Sequence, residues 1–221
     1  MEHKEIFRDT KDWYIDNEVY ASPELVKFAA CNAGKEILDL GCATGDYCSN
    51  LESMGFNCTG IDVNPEYIEK ARERGINVYL MKGDDLKFQN NSFDTVLLFE
   101  VLEHVENPYK ILKEAKRVAR KNILITVPNC TQFSELKSSG LTYEHLLDKD
   151  HINFFTKKDM ENLISKEFNK FKVKEEEALA LEAVNLPWIL KYPILILYKL
   201  KLVKSNIYYR LYAVIDLEGE Q

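Results

Sequence analysis

The stretch "FEVLEHVENP" (99–108) carries Glu100, Glu103 and His104, two carboxylates and an imidazole at spacings of three and four. On a helix these three would share one face. A carboxylate and an imidazole side by side can take a proton from a hydroxyl, which is worth roughly 10²–10⁴ in rate. With a second imidazole, His151 in "KDHINFF", the set also suits a divalent metal with coordination positions left open. A plainer role is open to the same residues, because acids in the first turn of a helix are favoured by its positive end.

A second concentration of chemistry lies earlier, in "DLGCATGD" (39–46). Gly41 and Gly45 permit a tight turn and a close approach of backbone to ligand. The N–H groups of a helix starting near Asp46 would favour a ligand carboxylate. Asp39 and Asp46 beside the loop discourage a pyrophosphate and suit a ligand end that carries an ammonium as well. A dinucleotide fingerprint would need glycines where Ala43 and Asp46 stand, and a phosphate loop would need a Gly-Lys-Ser/Thr ending that the chain lacks. Asp62 follows a second oily run, where a carboxylate can accept both hydroxyls of a ribose. Asp84 and Asp85 follow a third, where an acid can accept from an adenine amino group. Cys42 and Cys48 read as small buried packing residues.

These groups need a frame that brings run ends together. Oily runs recur at 36–40, 58–62, 77–81, 95–99 and 122–127, rich in Ile, Leu and Val without alternation, as expected of strands buried on both faces. Helical segments at 46–54, 65–74 and 107–120 lie among them, with Pro65 fit for a first turn and Gly75 for a stop. Ser22 and Pro23 mark a further helix start. The alternation predicts a doubly wound α/β fold. Runs at 170–177 and 207–217 add two strands as an antiparallel hairpin at the edge. In such a sheet, ligands bind beyond the carboxyl ends of the strands.

In that order and spacing, "ILDLGCATGDYCSNLESMGFNCTGIDVNPEYIEKA", "NSFDTVLLFEVLEHVENP" and "NILITVPN" resemble the motifs of the class I S-adenosylmethionine-dependent methyltransferases over about 34–177. "HINFFTKKDM" resembles a motif of a subset. The resemblance implies a Rossmann-like, seven-stranded, mostly parallel sheet with an antiparallel edge strand and helices on both faces. It implies S-adenosylmethionine as the cofactor, held at Asp39, Gly41, Cys42, Ala43, Gly45, Asp62, Val63, Asp84, Asp85 and Glu100. Ala43 stands at the middle glycine of the family loop. The Glu-x-x-Glu-His stretch is similar to that of the ubiquinone-biosynthesis O-methyltransferases and of the small-RNA 3′-terminal 2′-O-methyltransferases. The latter use these residues as metal ligands, so the resemblance implies Glu100, Glu103, His104 and His151 as ligands for Mn, Fe, Co, Zn or Mg. The alternative is His104 as a metal-free base, with Glu103 orienting it and His151 nearby.

The expected architecture is one methyltransferase domain over 1–221. Residues 1–33, with Trp13, Tyr14 and Tyr20, form a helical lid, 34–177 the cofactor-binding core, 178–206 an arm and 207–217 the last strand. Between positions 187 and 210 lie four lysines and an arginine without an acid, interleaved with Trp188, Tyr192, Tyr198 and aliphatic residues. Such an arm suits a membrane surface, a lipophilic acceptor or a packing contact. The net charge of −7 disfavours broad nucleic-acid binding. Five cysteines without a Cys-x-x-Cys pair fit a reducing cytoplasm, and the N-terminus lacks a signal-peptide layout. The expected activity is O-methylation of a small-molecule or lipid-linked hydroxyl. An RNA ribose 2′-O-methyltransferase and a non-catalytic cofactor-binding subunit are the alternatives. His3 and His145 read as surface residues, and Asn129 as an acceptor contact or a turn.

Overall fold

The oily runs fold as strands, four of them largely buried as expected, while Tyr79 and Leu80 of the third are exposed at the sheet edge. The computed structural model describes residues 21–131, 150–178, 192–193, 196–197, 200 and 208–219. In chain order these form α1 (Pro23–Asn32), β1 (Glu36–Leu40), α2 (Asp46–Ser53), β2 (Asn57–Asp62), α3 (Pro65–Glu73) and β3 (Val78–Leu80). Then come β4 (Phe93–Phe99), α4 (Pro108–Val118), β5 (Ala119–Pro128), α5 (Lys157–Ile164), β6 (Phe171–Ala178) and β7 (Tyr208–Asp216). One sheet holds the seven strands in the order β3-β2-β1-β4-β5-β7-β6. The first five run parallel, and β7 is antiparallel to both its neighbours. The antiparallel strand is thus second from the edge, with β6 outermost, and the two pair as the expected hairpin.

β4 shows how burial sets the frame. All seven of its residues are buried, with Val96 and Leu98 packed into the layer of α4 and α5, and Leu97 and Phe99 into the layer of α1, α2 and α3. Each such side chain stabilises the fold by about 1.5–3 kcal/mol. Leu97 lies opposite Asp39, and Phe99 opposite Thr126. The strand order reverses between β1 and β4, and their parallel pairing sets both tips at the same end.

Three local expectations need correction. The Ser22 hydroxyl stands at the cap position of α1 but donates to Glu24 Oε2 at 2.9 Å rather than bonding the helix backbone. The helix at 107–120 ends at Val118, because Ala119 already pairs with Phe93. Helix α5 was not anticipated, although Thr156 and Asp159 form a reciprocal capping box at its start. Trp13, Tyr14, Tyr20, His3, His145 and most of the 178–206 arm lie outside the described residues. Among the described residues no helix is long and apolar enough to cross a membrane.

Candidate active site at the strand tips

Gly41, Ala43 and Gly45 all adopt left-handed backbone, with φ of +82°, +45° and +81°. Their loop carries the chain from β1 across the tip of β2, and the N–H groups of Gly41 and Cys42 both donate to Ile61 O, at 2.8 and 2.9 Å. At Gly41 a Cβ would lie 2.7 Å from Val101 Cγ2, so the β4 tip closes over the loop. Ala43 holds a conformation that costs a non-glycine residue roughly 1–2 kcal/mol. Its N–H donates to Asp62 Oδ2 at 3.0 Å, which helps hold it there.

Asp62 accepts a second backbone N–H, from Asn64 at 2.8 Å. Burial raises its pKa above the usual carboxylate range against these bonds. The N–H of Val63 also bonds the carboxylate, and of its roughly four acceptor positions at least one stays open to a ribose hydroxyl. Asp39 is 1% exposed. Burial, opposed by the Cys48 thiol at 3.7 Å and reinforced by the charge of Asp62, pushes it up to about 7. A buried acid with so little compensation is suited to a cationic ligand.

Asp46 departs from its expected role. Its carboxylate pairs with Arg74 Nη2 at 2.7 Å and accepts from Thr44 Oγ1 at 3.0 Å, so its charge is already answered. Asp85 is likewise occupied, by Lys87 Nζ at 2.6 Å on the surface. Asp84 is exposed beside it with no such ion pair among the described residues, and Val63 is 66% exposed. Cys42 is buried beneath the loop, where its Sγ blocks any side chain at Gly60.

Beyond β4 the chain is not helical, which corrects the shared-face expectation for Glu100, Glu103 and His104. Glu100 turns left-handed (φ +54°), His104 N–H closes a turn onto Val101 O at 3.0 Å, and α4 starts only where Pro108 sets the first turn. The three side chains consequently part. Glu100 Oε1 lies 3.3 Å from Arg210 Nε, on the α1 side of the sheet. Glu103 is buried and His104 exposed, and both meet His151. Glu103, His104 and His151 each offer a ligand atom within 4.8 Å of the other two. Glu100 is not among them. One carboxylate and two imidazoles fit a divalent transition metal, with Mg the poorer match to nitrogen donors. His104 Nδ1 lies 3.2 Å from Asp150 O. If Nδ1 carries the proton and donates to that carbonyl, Nε2 is left with a lone pair.

Several residues at the site were missed in the sequence. Arg210, grouped by sequence with the basic arm, lies instead in β7, where it pairs with Glu177 Oε2 at 2.6 Å as well as with Glu100. Burial alone would lower its pKa, but the charge of Glu100 and the bond to Glu177 raise it. The signal was a lone arginine inside the oily run of β7. Tyr47 packs edge-on against Phe99, and burial followed by the charge of Glu100 raises its pKa. Asn129 closes a turn as expected, its Oδ1 accepting from Thr131 N–H at 3.0 Å, while its Nδ2 braces β7 and β6 by donating to Tyr208 O and Glu175 Oε1.

A family model described as a methyltransferase domain matches residues 14–169. An uncharacterized protein of Methanocaldococcus jannaschii is 31% identical over 153 residues, covering 67% of this chain and 71% of that one. The ubiquinone biosynthesis O-methyltransferase of Rickettsia bellii is 38% identical over 96 residues, only 41% of this chain and 40% of its own length. Among solved structures, a SAM-dependent methyltransferase of Archaeoglobus fulgidus superposes with a TM-score of 0.66 at 17% identity, over 94% of this chain and 97% of that one. With the strand order, the left-handed glycine loop and the acids at successive tips, these likenesses have one reading: the chain belongs to the methyltransferase-domain family and is a class I S-adenosylmethionine-dependent methyltransferase.

Proposed function

We propose that the chain methylates an oxygen of a small-molecule or lipid-linked acceptor, with His104 receiving the hydroxyl proton. The observation that carries this reading is the meeting of Glu103, His104 and His151 just past the tip of β4. In the proposed step the acceptor oxygen attacks the methyl carbon in line with its bond to sulfur. The C–O bond forms as the C–S bond breaks, leaving S-adenosylhomocysteine, and the hydroxyl proton passes to His104 Nε2. The cofactor already carries an activated methyl group, so the protein's contribution is placement and charge. Asp39 would hold the ammonium of the methionine end, Asp62 the ribose and Asp84 the adenine. A divalent metal on Glu103, His104 and His151 would supply the acidity of the hydroxyl in place of a free base.

The relatives' printed names support a quinone-type acceptor, on matches that span about two fifths of each chain. A lipophilic acceptor also suits the basic arm, where Tyr192, Ile196, Leu197 and Leu200 are exposed among its described residues. Sedimentation with anionic vesicles tests that part. The metal-capable cluster favours a second reading, a ribose 2′-hydroxyl of RNA, which the net charge of −7 opposes. Labelled S-adenosylmethionine incubated with pools of RNA, lipid extract and small metabolites separates these readings. Label in the lipid or metabolite pool is expected, and label in RNA alone would reverse the order. Equal transfer before and after complete metal removal would leave His104 as a metal-free base.

A further inference from the structure

His104 and His151 come from separate loops, and His104 is exposed, so their meeting needs a brace outside the sheet. Helical hydrogen bonding does not constrain the 102–105 turn, and its carbonyls are available to other donors. Asn153 supplies them. Its Nδ2 donates to Leu102 O at 3.0 Å and to Val105 O at 2.7 Å. Its main-chain N–H donates to Glu103 O at 3.0 Å, and the N–H of Ile152 to the same oxygen at 2.9 Å. Four hydrogen bonds from two adjacent residues therefore staple the segment carrying His151 onto the turn carrying Glu103 and His104. Asp150 O, in the same segment, lies at His104 Nδ1.

We infer that Asn153 is a positioning residue that sets the approach of His151 to Glu103 and His104. The inference rests on the proposed role of those histidines. An amide alone fits the position, because two carbonyls must each receive a proton from one short side chain. A carboxylate there would place negative charge against both carbonyl oxygens, and a hydroxyl could satisfy only one.

Imidazole nitrogen NMR of the full chain, which has four histidines, reads the arrangement without an acceptor. Wild type is expected to show His104 as the Nδ1–H tautomer, with cross-relaxation between the His104 and His151 rings. Asn153→Ala should lose both while its affinity for S-adenosylhomocysteine stays within threefold. With an acceptor drawn from the labelled pools, kcat should fall at least tenfold at unchanged cofactor KM. Should Asn153→Ala not fold, Asn153→Ser retains one donor and should show an intermediate loss. Persistence of the ring contact and tautomer in the folded variant would overturn the inference, as would equal losses of cofactor affinity and kcat. Undiminished transfer by His104→Gln would instead overturn the reaction-group reading while leaving the NMR result to stand.

Discussion

The rings of His104 and His151 meet edge to face, with centroids 4.6 Å apart and planes at 68°. One follows β4 and the other follows β5, so the contact exists only in the folded sheet. A base needs a basic lone pair, and glutamine offers none. His104→Gln should therefore lower methyl transfer by roughly 10²–10⁴. Calorimetry with S-adenosylhomocysteine should show affinity within twofold of wild type, because Asp39 and Asp62 lie at other strand tips. A variant that transfers methyl at the wild-type rate would remove His104 from the reaction.

Asp39 makes stability and binding oppose one another. Its folded pKa, about 7, lies above the ordinary 3.8. Between those values the native state binds more protons than the unfolded one, so this group's contribution to stability falls as pH rises and is flat above about 7. The shift corresponds to at most about 4 kcal/mol. Asp39→Asn should raise the melting temperature more at pH 8 than at pH 4, while weakening cofactor binding at least tenfold. An equal change in melting temperature at both pH values would show that the carboxyl is not strained by burial.

Asp94 runs the other way. It is buried with Arg120 Nε at 2.8 Å and Lys121 Nζ at 3.0 Å. The bond from Arg120 holds its pKa well below the usual range despite burial. Its contribution is present above pH 3.8 and is lost as pH falls through the lowered folded value. In Asp94→Asn, the gap in stability from wild type should be full at neutral pH and should narrow in acid. A constant gap across an acid unfolding series would contradict the pairing.

What the sequence made legible, and what it hid, divides by range. The strands were readable because β1 sets Ile37, Leu38 and Leu40 close together and β4 ends in the apolar run 96–99, and burial on both faces leaves that mark. The loop acids were readable because strand tips follow the runs. The partners of those acids were not: Arg74 reaches Asp46 from α3, and Arg210 reaches Glu100 from the far end of the chain. Spacing also misled at 100–104, where helical periodicity suggested one face and the left-handed turn at Glu100 sends the side chains apart. Asn153 lies inside the "HINFFTKKDM" stretch, but its role left no mark there, since its acceptors are main-chain carbonyls that every residue possesses.

Ala43 carries strain that one substitution can release. At φ +45° its Cβ is crowded, and glycine is free of that contact. The gain is partly offset by the greater freedom of glycine in the unfolded chain. Ala43→Gly should therefore stabilise by about 0.5–1 kcal/mol in urea unfolding, with the bond from residue 43 to Asp62 kept. A loss of stability would mean that the loop relaxes to avoid the left-handed region.

Arg210 links three strands through charge. It holds Glu100 past β4 and Glu177 in β6, and both of those acids sit on left-handed backbone, at φ +54° and +57°. Tyr212 adds a hydrogen bond from its hydroxyl to Glu177. Removing the cation would leave two acids side by side, each with its side chain only 22% exposed. For a fully buried pair the loss is about 3–5 kcal/mol. Partial solvent access reduces this to about 2–4 kcal/mol for Arg210→Met. Adding Glu177→Gln should recover part of the loss, because the repulsion disappears while the packing of the methionine stays. If Arg210→Met unfolds in urea at the wild-type midpoint, the cluster is a surface arrangement with no hold on the β4 tip. If the second substitution deepens the loss, packing rather than charge is what Arg210 contributes.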